Sequence, residues 1–109
     1  MKSLKFHTIL IPLILSKRKT STWRLFDDKE LKEGDIVNFI NNKTLGKFAK
    51  AELTNIKIKK FKDLTENDWK GHEEYSSDKE MYKKYTKYYK KPINGETELK
   101  IISFRLITS

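Results

Sequence analysis

Residues 14–40 read ILSKRKTSTWRLFDDKELKEGDIVNFI, and the period of their apolar side chains changes twice. The first residues finish a short helix: Ile9, Leu10, Leu13 and Ile14 recur at near-helical spacing over 8–18. Pro12 fits only the first turn of such a helix, where its missing N–H costs no hydrogen bond. The period then drops to two, with Thr20, Thr22 and Arg24 on one face and Ser21, Trp23 and Leu25 on the other. Lys17, Arg18 and Lys19 lie between helix and strand, where neither period holds. LKEGD (31–35) is a turn in which Gly34 is free to take positive φ, and DIVNFI (35–40) begins the next strand.

Outward from this stretch the pattern continues. LKFH (4–7) predicts a first strand and NNKTLG (41–46) a hairpin-type connection. KFAKAELTNIKI (47–58) predicts a long strand with Ala49, Ala51 and Leu53 inward and Lys50, Glu52 and Thr54 outward. In LTENDWKGHE (64–73), Thr65 caps a helix, Asp68 answers three residues on, Leu64 and Trp69 form a hydrophobic staple and Gly71 stops it. SSDKEMYKKYTKYYKKP (76–92) predicts a helix that starts with a Ser77–Glu80 capping box and is bounded by Pro92. It carries Met81, Tyr82, Tyr85, Tyr88 and Tyr89 on one broad face and Lys83, Lys87 and Lys90 on the other. That spacing predicts a helix docked by its tyrosines, one or two of which rim a cleft. ELKIISFRLI (98–107) alternates again as a closing strand. Antiparallel strands joined by short turns need a closed or covered edge, which a barrel supplies. The expectation is an α+β fold: a small β-barrel with a short N-terminal helix and two inserted helices, one domain over 1–109.

Composition narrows the function. Lys and Arg number 24 against 15 Asp and Glu, a net charge of +9 that suits a polyanionic partner. A lysine-rich surface also arises from codon bias, since only Arg18, Arg24 and Arg105 among the basic residues are not lysine. With no cysteine, disulfides and thiolate metal sites are excluded. Two histidines, His7 and His72, are too few for a zinc site, so neither metal nor cofactor is expected. ILIPLIL (9–15) is too short to span a bilayer, and SKRKTS follows it without a small-residue cleavage site. The expectation is a cytoplasmic monomer that does not meet a membrane.

The residues Leu15, Lys19, Thr20, Thr22, Arg24, Gly34 and Asp35 resemble the ASCH domain, a branch of the PUA-like superfamily. That family runs through a leucine-ended helix, a Lys-Thr-x-Thr-x-Arg strand and a Gly-Asp turn before a β-strand. The likeness extends over 4–107, and Lys17-Arg18 stands where the family often has a small glycine. The resemblance implies a pseudo-barrel with a cleft between barrel and helices, suspected of binding RNA. Some small members hydrolyse N4-acetylcytidine with a Lys, a Thr and a Glu; others resemble ribonucleases or coactivator modules.

On the residues themselves, Lys19 at the junction can bend over Thr22. Crowded by Lys17, Arg18 and Arg24, its amine would lose affinity for a proton and could act as a base toward Thr22. The plainer alternative is a solvated basic strand end that holds phosphate without chemistry. The resemblance adds a carboxylate from HEE (72–74): Glu73 suits a lysine partner better than His72 does, and Glu74 stays open. Trp23 reads as core rather than a base-stacking residue. Two functions follow. In the first, single-stranded RNA or another nucleic acid meets Lys17, Arg18, Lys19 and Thr20 through its phosphates, and Thr22 and Arg24 read the base. In the second, an amidohydrolase acts on an acylated nucleoside with Thr22 as nucleophile, Lys19 as base and Glu73 as orienting acid. A ribonuclease in the same cleft is a weaker third.

Overall fold

The computed structural model describes residues 1–27 and 29–107. Strand β1 (Ser3–Phe6) leads through a 3₁₀ turn (Thr8–Leu10) into α1 (Ile11–Leu15), which carries Pro12 in its first turn as the sequence requires. Then follow β2 (Ser21–Arg24), β3 (Ile36–Asn41) and β4 (Lys47–Lys60). A second 3₁₀ turn (Phe61–Asp63), α2 (Glu66–Trp69), α3 (Asp78–Tyr89) and β5 (Glu98–Leu106) complete the order.

The five strands form one curled sheet in the order β1-β3-β4-β5-β2, the half-barrel of a small α+β fold. Four of the strands pair antiparallel along this order, but β1 runs parallel to β3, against the all-antiparallel expectation. The reason is connectivity: the chain leaves β1, crosses by α1 to the far edge as β2, and returns to β3 beside its start. The sheet order therefore ends in β1 on one side and β2 on the other. Arg24 spans the two ends, donating from a guanidinium nitrogen to the Lys5 carbonyl oxygen at 2.8 Å and lying 4.7 Å over the Phe6 ring.

Two apolar clusters hold the fold. Leu4, Phe6, Val37, Phe39, Leu53 and Ile102 form one cluster with Ile14 of α1. Trp23, Leu25, Phe61, Met81, Tyr85 and Ile101 form the other under α3. Ile101 and Ile102 are neighbours on β5 and both are buried, because the sheet is covered on both faces there. The same double cover buries Ser21, Thr22 and Trp23 in succession, so the two-faced reading of β2 gives way at its centre. On β4, Ala51 and Leu53 point inward and Thr54 is exposed as expected, and a register shift between Leu53 and Asn55 bends the strand.

The helices start as their caps dictate. Asp68 reaches back to the Thr65 N–H at 2.9 Å and receives Lys59 at 2.7 Å, fastening α2 to β4. Ser77 accepts the Glu80 N–H at 3.2 Å to start α3. Met81 and Tyr85 of α3 are buried and Tyr82 and Tyr89 partly so, whereas Tyr88, assigned to the same face, is 60% exposed. Gly71, after α2, has φ +75°, and its carbonyl accepts the Thr20 and Ser21 N–H groups at 2.8 and 3.1 Å. A Cβ there would fall 2.0 Å from Thr20 Oγ1, so only glycine lets this loop lie against the start of β2. That contact delivers the next residues, His72 and Glu73, to the strand. No helix among the described residues is long and apolar enough to cross a membrane.

Candidate functional site

The cleft opens where β1 and β2, the two ends of the sheet, face one another under α3. It encloses about 300 Å³. β1 contributes Lys5 and Phe6, and β2 contributes Thr22, Trp23 and Arg24. The loop after α2 contributes His72, Glu73 and Tyr75, and α3 contributes Lys84, Tyr85, Tyr88 and Tyr89. Lys19 enters from the junction after α1.

That junction is a tight turn in which the Arg18 and Lys19 N–H groups both bond the Leu13 carbonyl. Lys17 adopts φ 65°, a left-handed backbone that glycine takes at least cost, so it occupies a glycine's conformation at this position. The turn sends the Lys19 side chain inward: it is 2% exposed, and its Nζ donates to Glu73 Oε2 at 2.6 Å. Glu73 is thus the carboxylate of the HEE run that meets the lysine, while Glu74 is exposed. His72 is buried and stacks on Trp23 with ring centroids 3.9 Å apart and planes 15° from parallel. Its Nδ1 lies 2.8 Å from the Glu73 carbonyl oxygen. Trp23, packed also against Trp69 and Phe61, serves both as core and as a wall of the cleft.

The electrostatics follow from burial. The Lys19 amine is pulled below its ordinary lysine value by burial; Glu73 works against this, and Arg24 adds a smaller downward push. The direction matches the sequence expectation but the cause differs, because Lys17 and Arg18 point to solvent and take no part. Burial alone would raise Glu73, yet His72 and Lys19 hold it below its ordinary value. Burial and the Lys19 charge bring His72 down to about 4. In the unfolded chain His72 returns to about 6.5 and takes up its proton first as the pH falls, so stability is present above that value and is lost between pH 6.5 and about 4. The expected loss is about 3 kcal/mol at ~1.4 kcal/mol per unit. Urea midpoints followed from neutral pH to pH 4 check this; His72→Phe, which keeps a ring on Trp23, should flatten that limb of the profile.

The residues singled out from sequence separate in space. Lys19, Thr22, Arg24 and Glu73 converge in the cleft. Lys17 and Thr20 line a second, smaller depression of about 170 Å³ with Phe104 and Arg105, reached also by Lys19, and Arg18 lines neither. The run 17–24 is therefore not one continuous basic cleft, because Lys17 and Thr20, before the strand, line the second depression, whereas Thr22, Trp23 and Arg24 of β2 line the first. No hydrogen bond joins Thr22 to Lys19 among the described residues; the lysine is turned to Glu73 instead. Lys5, Phe6, Tyr75 and Lys84 were not signalled by any motif. They reach the site through the sheet's curl and the docking of α3.

Chemically, the cleft combines aromatic walls with cations at Lys5, Arg24 and Lys84 and a buried ion pair beside a hydroxyl. Trp23 Nε1 and Arg24 Nε, donors on two wall residues, are buried without a hydrogen-bond partner among the described residues. No cluster of three His, Cys, Asp or Glu side chains among the described residues is arranged to hold a metal.

No family model and no curated relative matches the sequence. Solved structures do. Hypothetical protein PH0355 superposes with a TM-score of 0.73 at 25% identity, over 98% of this chain and all of that one. The ASCH domain from Lactobacillus crispatus JV V101 gives 0.70 at 12% identity, over 96% of this chain and 79% of that one. An ASCH protein from Zymomonas mobilis gives 0.63 at 15% identity, with 94% of this chain covering 66% of that one. At these identities it is the fold that is shared. This chain has the ASCH-domain fold.

Proposed function

We propose that the cleft binds nucleic acid, single-stranded RNA in the first instance, by seating one nucleotide between its aromatic walls. The observation that carries this reading is the wall chemistry: Phe6, Trp23, Tyr75 and Tyr85 beside Lys5, Arg24 and Lys84 in one cavity of about 300 Å³. A planar base matches the aromatic surfaces and a phosphate matches the cations. The net charge of +9 favours a polymer over a neutral nucleoside. RNA comes first because the Lys19–Arg24 segment resembles a family suspected of binding it.

The test is fluorescence anisotropy with labelled single-stranded RNA across a salt series. Log affinity should fall with log salt by roughly 0.7 per phosphate contact. Lys19→Met should mainly lower that slope. A flat salt response, or no binding at low salt, would overturn the reading.

One observation favours a second reading: a buried lysine with weakened proton affinity shares the cleft with the Thr22 hydroxyl. In an amidohydrolase acting on an acylated cytidine, neutral Lys19 would take the Thr22 proton as the hydroxyl oxygen attacks the acyl carbonyl, and would return it to the N4 nitrogen as the C–N bond breaks and cytidine leaves; water would then hydrolyse the acyl-threonine ester. The ion pair with Glu73 and the missing Lys19–Thr22 hydrogen bond weigh against it. Release of cytidine from N4-acetylcytidine, abolished by Thr22→Ala, would establish it.

A further inference from the structure

From the cleft's mouth a row of aromatic rings runs outward. Tyr85 and Tyr89 lie nearly parallel, 7° apart with centroids at 6.2 Å. Tyr89 meets Tyr88 edge-on at 4.9 Å, and Phe26 edge-on at 5.7 Å on its other side. The Tyr89 hydroxyl accepts the Leu25 N–H at 3.1 Å, so the end of β2 and the last turns of α3 hold the row rigidly together. Its outer members are open to solvent: Tyr88 is 60% exposed and Phe26 49%. Phe26 also has φ 53°, a left-handed backbone unfavourable for a bulky residue, and its ring is presented to water rather than packed in the core. The Lys91 ammonium sits 4.3 Å over that ring.

We infer that this ledge is a second nucleotide subsite, so that the ligand is an oligonucleotide and not a free nucleoside. The inference rests on the cleft being a nucleotide site. One nucleotide occupies the cleft, the strand leaves past Tyr88, and a neighbouring base stacks on Phe26. Lys91, displaced from the ring face, takes the phosphate between them. Charge selects this occupant: the Lys91 ammonium lies over the Phe26 ring and Lys84 lines the cleft beside Tyr88, and a stacked base with a phosphate on either side satisfies both the rings and the ammonium groups. An apolar partner protein would have to desolvate the same lysines with nothing to neutralise them.

The experiment compares a nucleoside monophosphate with RNA and DNA oligonucleotides of increasing length by calorimetry at low salt, on wild-type protein, Phe26→Ala and Lys91→Ala. Neither substituted residue lines the cleft. In the wild type, adding a second and third nucleotide should tighten binding by roughly tenfold or more, as base stacking on an aromatic ring does. Phe26→Ala should lose most of that gain and leave the monophosphate affinity within about twofold. Lys91→Ala should lower the salt slope for the oligonucleotide by about one contact. RNA and DNA arms that respond alike to Phe26→Ala support the ledge, whichever sugar the cleft prefers. Equal affinity for monophosphate and oligonucleotide would overturn the ledge and leave the cleft reading standing. Oligonucleotide binding that depends on Phe26 with no detectable monophosphate binding would support the ledge and overturn the cleft. A dimer in sedimentation that Phe26→Ala dissociates, with binding independent of length, would assign the ledge to a second copy of the chain and overturn the inference. Thermal melts matching wild type confirm that the exposed substitutions leave the fold intact.

Discussion

Replacing Glu73 by glutamine is expected to lower the stability toward the lower end of about 3–5 kcal/mol, the range for removing one partner of a buried pair. Lys19 is 2% exposed and its ammonium has Glu73 as its counter-charge at 2.6 Å, whereas the Glu73 side chain keeps 28% of its surface in water. The two halves of the pair should therefore behave differently. Without Glu73 the lysine is left charged in the interior, and it must either stay so at a cost or give up its proton. The deficit should accordingly shrink as the pH is raised through the lowered lysine value, since a neutral amine tolerates burial. Lys19→Met, by contrast, removes the buried charge and frees a carboxylate that water can reach, so folding should be near neutral or improved while RNA binding persists with a lower salt slope. Urea midpoints of both variants at neutral and alkaline pH, with RNA affinity beside them, make the comparison. A Glu73→Gln midpoint equal to wild type at neutral pH would mean that the pair is solvated and that Lys19 is not held as described.

The second large effect is expected at Trp23. Trp23→Ala should cost about 3–5 kcal/mol, as large aromatic truncations in cores do, out of a total near 5–15 kcal/mol for a domain of this kind. Trp23 is 3% exposed and touches Phe61, Trp69 and His72. The loss reaches the site as well: with Trp23 gone, His72 loses the surface that orients it, and the loop carrying Glu73 loses its seat beside Lys19. Tyr88→Ala, on the exposed ledge, should stay within about 0.5 kcal/mol of wild type in the same denaturation series. Equal costs at the two positions would show that Trp23 is a surface stacking residue after all.

What was legible in the sequence was whatever depends on neighbours along the chain. The strand after the basic turn, the free φ of Gly34, Asp68 answering Thr65 and Ser77 capping α3 depend on residues within four of one another, and each appears where the spacing put it, although the alternation of faces expected across 20–25 does not. The choice of Glu73 over His72 rested on charge complementarity to a lysine, an argument that needs only residue chemistry once the two segments are assumed to meet. What the sequence could not decide was which segments do meet. β1 pairs parallel with β3, leaving it opposite β2, and that alone brings Lys5 and Phe6 to Arg24. The docking of α3 over the gap brings Lys84 and Tyr85, and the approach of Gly71 to Thr20 delivers Glu73 to Lys19. Burial on both sides of β2 and β5 also appears only once the sheet has curled, and the burial of Lys19 beside it, more than the neighbouring Arg24 charge, weakens the proton affinity of that lysine. Local periodicity reports backbone geometry and short-range hydrogen bonds, whereas solvent exclusion is a property of the assembled surfaces; the cleft, its ion pair and the aromatic ledge belong to the second kind.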